Sequence, residues 1–430
     1  MKPNAGQKVH VITMGCAKNT VDSEKLLAQL GASGVTLTAD PGDADITVIN
    51  TCGFIDAARE ESIDTLIETV RQKTDGSLKK VYAVGCLVER YHDALKKEVP
   101  ELDGLFGTSQ LPAVVRELGG RFRKELLGER LLTTPSHVAY LKVSEGCDHP
   151  CSFCAIPLMR GKHVSRPAEE ILRETELLAA KGVREIVLIG QDTTNYGLDI
   201  DGSRTLAGLL AKIADVPGIA WVRLMYAYPA HFPLDVLDVI AGHPRVCRYI
   251  DMPVQHVSDA VLRSMRRGIS RRAMLSLIET IQKRVPGIAL RTTLITGYPG
   301  ENEPEFSELL AFVKAARFTR LGVFTYSREE STTAWDLGDP VTAAVKERRR
   351  AAIMEAQQEI SEERNTGLIG SKLRVLIDRL EDGRAVGRTE WDAPEIDNEV
   401  YVTSAHALTQ GSFVEATITG ATEYDLEGRV

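Results

Sequence analysis

Long hydrophobic runs are missing from this chain. No apolar stretch reaches the roughly 18 residues needed to cross a bilayer, so no membrane contact is expected. Positive charge is also short: 52 Lys and Arg stand against 60 Asp and Glu among 430 residues, a formal charge of −8. That balance argues against bulk electrostatic attachment to nucleic acid, though it leaves room for a local basic patch. Cysteine is sparse, and seven, an odd number, do not make a secreted disulfide framework. Residues Met1–Gln7 run straight into a strand-like Val9–Met14 without a signal-peptide core or a cleavage site. A reduced, cytoplasmic protein is expected. No G-x-G-x-x-G follows the first strand-like run, which disfavours a dinucleotide site. What remains is ordinary globular composition, with 43% apolar and 26% charged residues, enough for about two to four domains with sizeable cores.

Three of the cysteines crowd into Gly146-Cys147-Asp148-His149-Pro150-Cys151-Ser152-Phe153-Cys154. The C-x3-C-x2-C spacing lets three thiolates converge on one centre without distant residues. A structural zinc closes its shell with four protein ligands, and an electron-transfer iron–sulfur cluster normally takes four cysteines. Three thiolates around a four-iron cube leave one iron open. A zinc knuckle completed by His149 or His163 is the competing reading of the same residues. Phe153 and the apolar Ala155-Ile156-Pro157 suit a centre buried in a loop.

Three segments differ in grammar. Residues 1–125 alternate strands and helices, with strands at Val9–Met14, Ile46–Ile49 and Val81–Val84 and helices such as Asp22–Leu30 and Ala57–Val70, implying a parallel-sheet α/β domain. Each strand leads to a cysteine beside a glycine: Gly15-Cys16, Cys52-Gly53 and Gly85-Cys86. Ligands bind at the carboxyl ends of parallel strands, so Cys16, Cys52 and Cys86 are expected on one edge. Three buried apolar cysteines are the bland alternative. Residues 135–365 repeat strand and helix, with strands at Val138–Val143, Glu185–Ile189, Trp221–Tyr226, Arg248–Met252, Ala289–Thr293 and Leu321–Tyr326. That pattern fits a (βα)6 partial barrel whose first strand opens into the Cys147–Cys154 loop. Gln191-Asp192, Tyr228-Pro229, Pro253-Val254-Gln255 and the run Gly297 to Glu301 follow other strands and are candidate contacts. A charged helix from Lys346 to Asn365 reads as a solvated connector. Residues 366–430, with short strands between glycines, suggest a small antiparallel β-barrel. Cys247 reads as a buried strand residue.

Taken together, Met14-Gly15-Cys16-Ala17-Lys18-Asn19, Asn50-Thr51-Cys52-Gly53-Phe54-Ile55, Val84-Gly85-Cys86, Glu145-Gly146-Cys147 through Arg160-Gly161, and Ser165-Arg166-Pro167 resemble the radical-SAM methylthiotransferases over essentially the whole chain. The resemblance implies an N-terminal cluster domain, a radical S-adenosylmethionine (SAM) core and a C-terminal TRAM barrel. It implies two 4Fe-4S clusters, one on Cys147, Cys151 and Cys154 that binds and cleaves SAM, the other on Cys16, Cys52 and Cys86 that carries the sulfur. One branch of the family methylthiolates an adenosine of tRNA. The other methylthiolates an aspartate β-carbon in protein twelve of the small ribosomal subunit, and Ile189-Gly190-Gln191-Asp192-Thr193 and Asp392-Ala393-Pro394-Glu395-Ile396-Asp397 are similar to that branch. A low-potential electron donor such as a flavodoxin is implied. Gln191, Arg291 and Gly297 are expected to touch SAM, Arg291 through a carboxylate of SAM or substrate. A non-enzymatic iron–sulfur or zinc protein is the remaining alternative.

Charge points the same way as the second branch. Between Thr366 and Val430 stand six Lys or Arg and twelve Asp or Glu. A barrel gripping tRNA phosphates should be basic, whereas an acidic one suits a basic ribosomal protein.

Overall fold

Short β-branched runs build two parallel sheets and one closed barrel in the computed structural model, which describes residues 7–126 and 128–430. The stretch Met1–Gly6, part of the leader argument, lies outside the described residues. The first sheet holds β1 (Lys8–Thr13), β2 (Thr36–Leu37), β3 (Ile46–Thr51), β4 (Lys80–Gly85) and β5 (Gly104–Phe106) in the order β2-β1-β3-β4-β5, all parallel. β3 is buried along its whole length, as a strand covered on both faces must be. Helices α1 (Ala17–Ala32), α2 (Asp56–Thr74) and α3 (Cys86–Glu98) begin just after β1, β3 and β4. Leu26 and Leu30 of α1 pack on one face with Val48 and Val84, while Leu66 and Leu87 of α2 and α3 pack on the other with Ile49 and Ala83. β2 and β5, absent from the sequence reading, span two and three residues, too few for a periodic signal.

The second sheet begins at β6 (Val138–Lys142), after which a small ladder of β7 (Ser144–Glu145) and β8 (Val164–Ser165) brackets the cysteine loop. It continues through β9 (Glu185–Ile189), β10 (Trp221–Leu224), β11 (Val246–Asp251), β12 (Ala289–Thr296) and β13 (Arg320–Thr325) in the order β13-β12-β11-β10-β9-β6. All pairs are parallel and follow chain order, so this is the open six-stranded barrel expected. Leu141, Leu188, Leu224, Ile250 and Leu290 face outward under Ile171, Leu210, Ile240, Ile278 and Leu309 of the covering helices. Tyr140, Val187, Trp221, Cys247 and Tyr249 face the lumen, and Cys247 is buried there.

The third unit contains β14 (Lys372–Glu381), β15 (Arg384–Arg388), β16 (Val400–Thr403), β17 (Phe413–Ala421) and β18 (Leu426–Arg429), closed in the order β14-β15-β16-β18-β17. Four neighbouring pairs are antiparallel and β16–β18 is parallel. The expected barrel is therefore antiparallel but for one pair, because five strands cannot alternate direction all the way around a closed ring. Among the described residues no helix is long and apolar enough to cross a membrane.

Two expectations need correction. Helix Ala343–Thr366 is not simply a solvated connector, since Lys346, Arg349, Ile353, Gln357 and Ile360 are buried on one of its faces. Lys346 Nζ donates to the Tyr326 carbonyl at 2.8 Å, and Arg349 Nη1 to the Glu301 carbonyl at 2.8 Å. Nor do the acids of the third unit form one outward-facing charged surface. The segment after β15 enters the lumen of the six-stranded sheet, where Asp392 takes Arg320 at 2.5 Å and Asp397 takes Arg291 at 3.2 Å and the Tyr249 hydroxyl at 2.8 Å. Asp378 takes His137 at 2.9 Å, and Glu390 accepts the Arg248 N–H at 3.1 Å. Lumen arginines removed from water require carboxylate partners, and the C-terminal unit supplies them.

Candidate functional site

The order of the first sheet puts β1, β3 and β4 side by side, so their carboxyl ends meet at one edge. Cys16 caps α1, Cys52 follows β3 directly, and Cys86 is the first residue of α3. Gly15 and Gly85 make this crowding feasible. Both have left-handed backbone, with φ of 87° and 99°, and a Cβ on Gly15 would lie 2.6 Å from Cys52 Cβ. Charge on Cys16 disfavours charge on both Cys52 and Cys86, as expected for neighbouring sulfurs. Asn19 fastens the edge by donating to the Met14 carbonyl at 2.8 Å and the Thr51 carbonyl at 3.1 Å.

Cys147, Cys151 and Cys154 lie on the loop between β7 and helix Ile156–Arg160, at the carboxyl mouth of the second sheet. Phe153 anchors the loop against Val261, Met265, Tyr298 and Tyr326. The backbone N–H of Ser152 bonds the Met265 carbonyl at 3.1 Å, and its hydroxyl meets Tyr298 Oη at 2.8 Å. His149 stacks on Tyr228 with ring centroids 3.5 Å apart and its Nε2 lies 2.6 Å from Asp192 Oδ2. His163 faces Ser165 at 3.1 Å. Among the described residues no three His, Cys, Asp or Glu side chains converge to hold a single metal ion. A cube makes a different demand, since each thiolate takes a separate iron.

The first triad abuts the segment that follows the second. Cys86 packs in one apolar cluster with Ala155 and Met159, both of which come just after Cys154 in sequence. Arg160, the last residue of the helix that follows the cysteine loop, reaches across to Cys86 Sγ (3.2 Å), Asn19 Oδ1 (2.6 Å) and Asp22 Oδ2 (2.7 Å). Lys142 bonds Asp22 and Glu145, both at 2.5 Å, and Glu145 accepts from Gln191 Nε2 at 2.6 Å. Lys18 places its ammonium 2.9 Å from the centroid of the Tyr226 ring. Tyr226 and Gln255, at the ends of β10 and β11, hold left-handed backbone with φ of 59° and 71°, the kind of strain that collects at functional sites. Lys18, Glu145 and Arg160 belong to the runs quoted above, but nothing in their spacing revealed these partners. Asp22 and Lys142 carried no sequence signal for these contacts.

The three expected SAM contacts fall in different settings. Gln191 lies at the carboxyl mouth, and its Oε1 is buried without a partner, as are Gln255 Oε1 and Ser144 Oγ. Arg291 meets carboxylates, but those of Asp251 at 2.8 Å and Asp397 at 3.2 Å rather than of a ligand. Sequence could not foresee this, because Asp397 comes from another unit. Gly297 has its N–H on Glu301 Oε1 at 2.9 Å, and a Cβ there would fall 2.2 Å from Lys346 Cγ.

Thiol chemistry at both triads suits a resident cation. Burial raises Cys52 above its ordinary range and Cys86 to about 11, the latter opposed by Arg160. Burial likewise pushes Cys147 and Cys154 up to about 12. Such sulfurs stay protonated unless a metal centre stabilises the thiolate. The orphaned buried oxygens of Ser144, Gln191 and Gln255, on β7 and past the ends of β9 and β11, call for a polar ligand.

Comparison with known proteins accords with this arrangement. The chain matches uncharacterized protein family UPF0004 over residues 8–107, the radical SAM superfamily over 141–313 and the TRAM domain over 369–430. A protein of Chloroherpeton thalassium named ribosomal protein uS12 methylthiotransferase RimO is 53% identical over 425 residues, 98% of each chain. Its namesake in Cytophaga hutchinsonii is 50% identical over 432 residues, covering 100% of this chain and 99% of that one. Among solved structures, the radical S-adenosylmethionine methyltransferase TsrM of Kitasatospora setae gives a TM-score of 0.55 at 15% identity, over 78% of this chain and 77% of that one. The cobalamin-dependent radical enzyme OxsB gives 0.52 at 12% identity, over 81% and 56%. These two likenesses concern the fold alone. With half of its residues shared along nearly its whole length, the chain belongs to the RimO family of radical-SAM methylthiotransferases.

Proposed function

We propose that this chain places a methylthio group on the β-carbon of an aspartate in ribosomal protein uS12. The observation that carries this reading is the contact of the first cysteine triad with the segment that follows the second, in a chain whose relatives are named for that protein. The division into residues 1–125, 135–365 and 366–430 is part of the same reading, and the matched segments fall inside those bounds. Cys147, Cys151 and Cys154 would hold one 4Fe-4S cluster together with SAM, and Cys16, Cys52 and Cys86 a second. When bound, the first supplies the electron that cleaves SAM to a hydrogen-abstracting radical and the second supplies the sulfur. An aspartate β-C–H is too weakly acidic for a general base at neutral pH, which accounts for a radical route.

The protein's own residues bind, orient and shield. Gln191 and Gln255 offer unpartnered acceptor oxygens suited to the amino group of SAM. Of the other two expected contacts, Arg291 bonds Asp251 and Asp397 and the Gly297 N–H donates to Glu301. The His149–Tyr228 stack and the anchored Phe153 brace the loop that carries the second triad. Arg160 and the Lys18–Tyr226 contact hold the two halves together, as hydrogen abstraction requires the reacting atoms near van der Waals contact. Electrons would come from a low-potential carrier such as a flavodoxin, in the cytoplasm.

The test is anaerobic reconstitution with iron and sulfide, then incubation with SAM, reductant and either uS12 or tRNA. Mass spectrometry should find one hydrogen of a uS12 aspartate replaced by a methylthio group. Modification of tRNA with uS12 untouched would transfer the chain to the tRNA-modifying branch.

A further inference from the structure

Each triad has one sulfur that accepts a hydrogen bond from a buried arginine. Arg160 Nε donates to Cys86 Sγ at 3.2 Å, and Arg267 Nη1 donates to Cys151 Sγ at 3.3 Å. Only 4% of the Arg160 side chain is exposed, and Arg267 is equally buried. Both are fixed by other contacts. Arg160 is held by Asp22 and Asn19, while Arg267 donates to the Pro253 carbonyl at 2.6 Å and lies 4.3 Å from the Tyr228 ring centroid. Among the described residues no carboxylate forms an ion pair with Arg267, whose guanidinium faces Cys151 Sγ and the Tyr228 ring instead. A buried guanidinium is costly without a counter-charge, so its positive charge is directed at the sulfurs. Arg160 follows the second triad by six residues yet serves the first.

We infer that Arg160 and Arg267 are positioning residues that each hold one ligand sulfur and set how readily the metal centre at that triad accepts an electron. This rests on the cluster-binding reading above. An N–H···S bond draws charge from the thiolate, and a nearby cation favours the more negative, reduced state. Hydrogen bonds to sulfur and burial are among the factors that set such potentials. Removing either arginine therefore makes its own centre harder to reduce.

The test uses full-length, reconstituted protein in which one triad at a time is replaced by alanine, so that each centre is titrated alone by electron paramagnetic resonance. Arg160→Gln should lower the potential of the Cys16/Cys52/Cys86 centre. A tenfold fall in the reduced-to-oxidised ratio at fixed potential corresponds to about 59 mV for one electron. Arg267→Gln should do the same only at the Cys147/Cys151/Cys154 centre. Arg160→Lys and Arg267→Lys, which keep the charge, should recover part of the shift. Unchanged potentials at full iron content would overturn the inference. So would loss of iron from both the Gln and Lys variants, which would make the arginines assembly groups. If neither triad of the parent protein binds iron, the cluster reading itself fails.

Discussion

A thiol whose charged form is disfavoured by desolvation, like that of Cys154, is a poor nucleophile and a poor anion until a cation sits beside it, so each of the six cysteines should be intolerant of replacement, but in different ways. Cys147→Ala, Cys151→Ala or Cys154→Ala should abolish conversion of SAM to 5′-deoxyadenosine, measured by chromatography. Cys52→Ala should leave that conversion measurable while eliminating methylthiolated product. Transfer at the parent rate by Cys52→Ala would refute a two-centre scheme. Asp22 allows a pH test. Burial raises its carboxyl, but Lys142 and Arg160 outweigh burial and hold it at about 2, below the ordinary 3.8. Because the folded value is depressed, its stabilisation is fully present above about pH 4 and is lost as pH falls towards 2. Asp22→Asn should flatten the acid limb of a plot of melting temperature against pH over that window, and an unchanged limb would show that the bonds to Lys142 and Arg160 add no net stability.

At the scale of elements, the segment after β15 acts as a plug in the lumen of an open sheet. Arg223 and Arg388 both bond Glu185 at 2.8 Å, and Arg320 bonds Asp392, so three of these five side chains come from strands of the open sheet and two from the C-terminal unit. Breaking such a buried pair costs about 3–5 kcal/mol. Asp392→Asn should lower the unfolding free energy obtained from urea titration by an amount in that range, whereas Glu415→Lys, on an exposed pair with Lys372, should change stability by about 0.5 kcal/mol or less. Equal effects of the two would mean that the plug contributes little. The same comparison bears on the substrate, since only acids left outside, such as Glu381 and Glu415, remain to attract a basic ribosomal protein.

For the molecule as a whole, the chemistry depends on holding two separate sheets in register. Arg90 bonds Glu329 at 2.8 Å and Arg59 bonds it at 3.2 Å, while Ser327 bonds Asp56 at 3.0 Å, so α2 and α3 are fastened to the loop after β13. Glu329→Gln should loosen that clasp, cutting methylthio transfer by up to about 100-fold while uncoupled SAM cleavage persists; a parallel loss of both activities would point to general unfolding instead. Local signals sufficed for much of this architecture. Apolar runs of four to six residues marked the buried strands, and a cysteine two or three residues past three of them marked one edge of a parallel sheet, because the carboxyl ends of parallel strands necessarily lie together. The short spacing from Cys147 to Cys154 located the other triad for the same reason, proximity along the chain. Side-chain partners were another matter. Arg291 reads identically whether it meets a ligand or Asp397, 106 residues away, and Asp392 reads as surface charge until Arg320 is found opposite it. Composition counts charges without knowing which will lose water, and only the packing of the third unit into the second decided which acids would be buried, which arginines they would neutralise, and that Arg160 would reach the sulfur of Cys86.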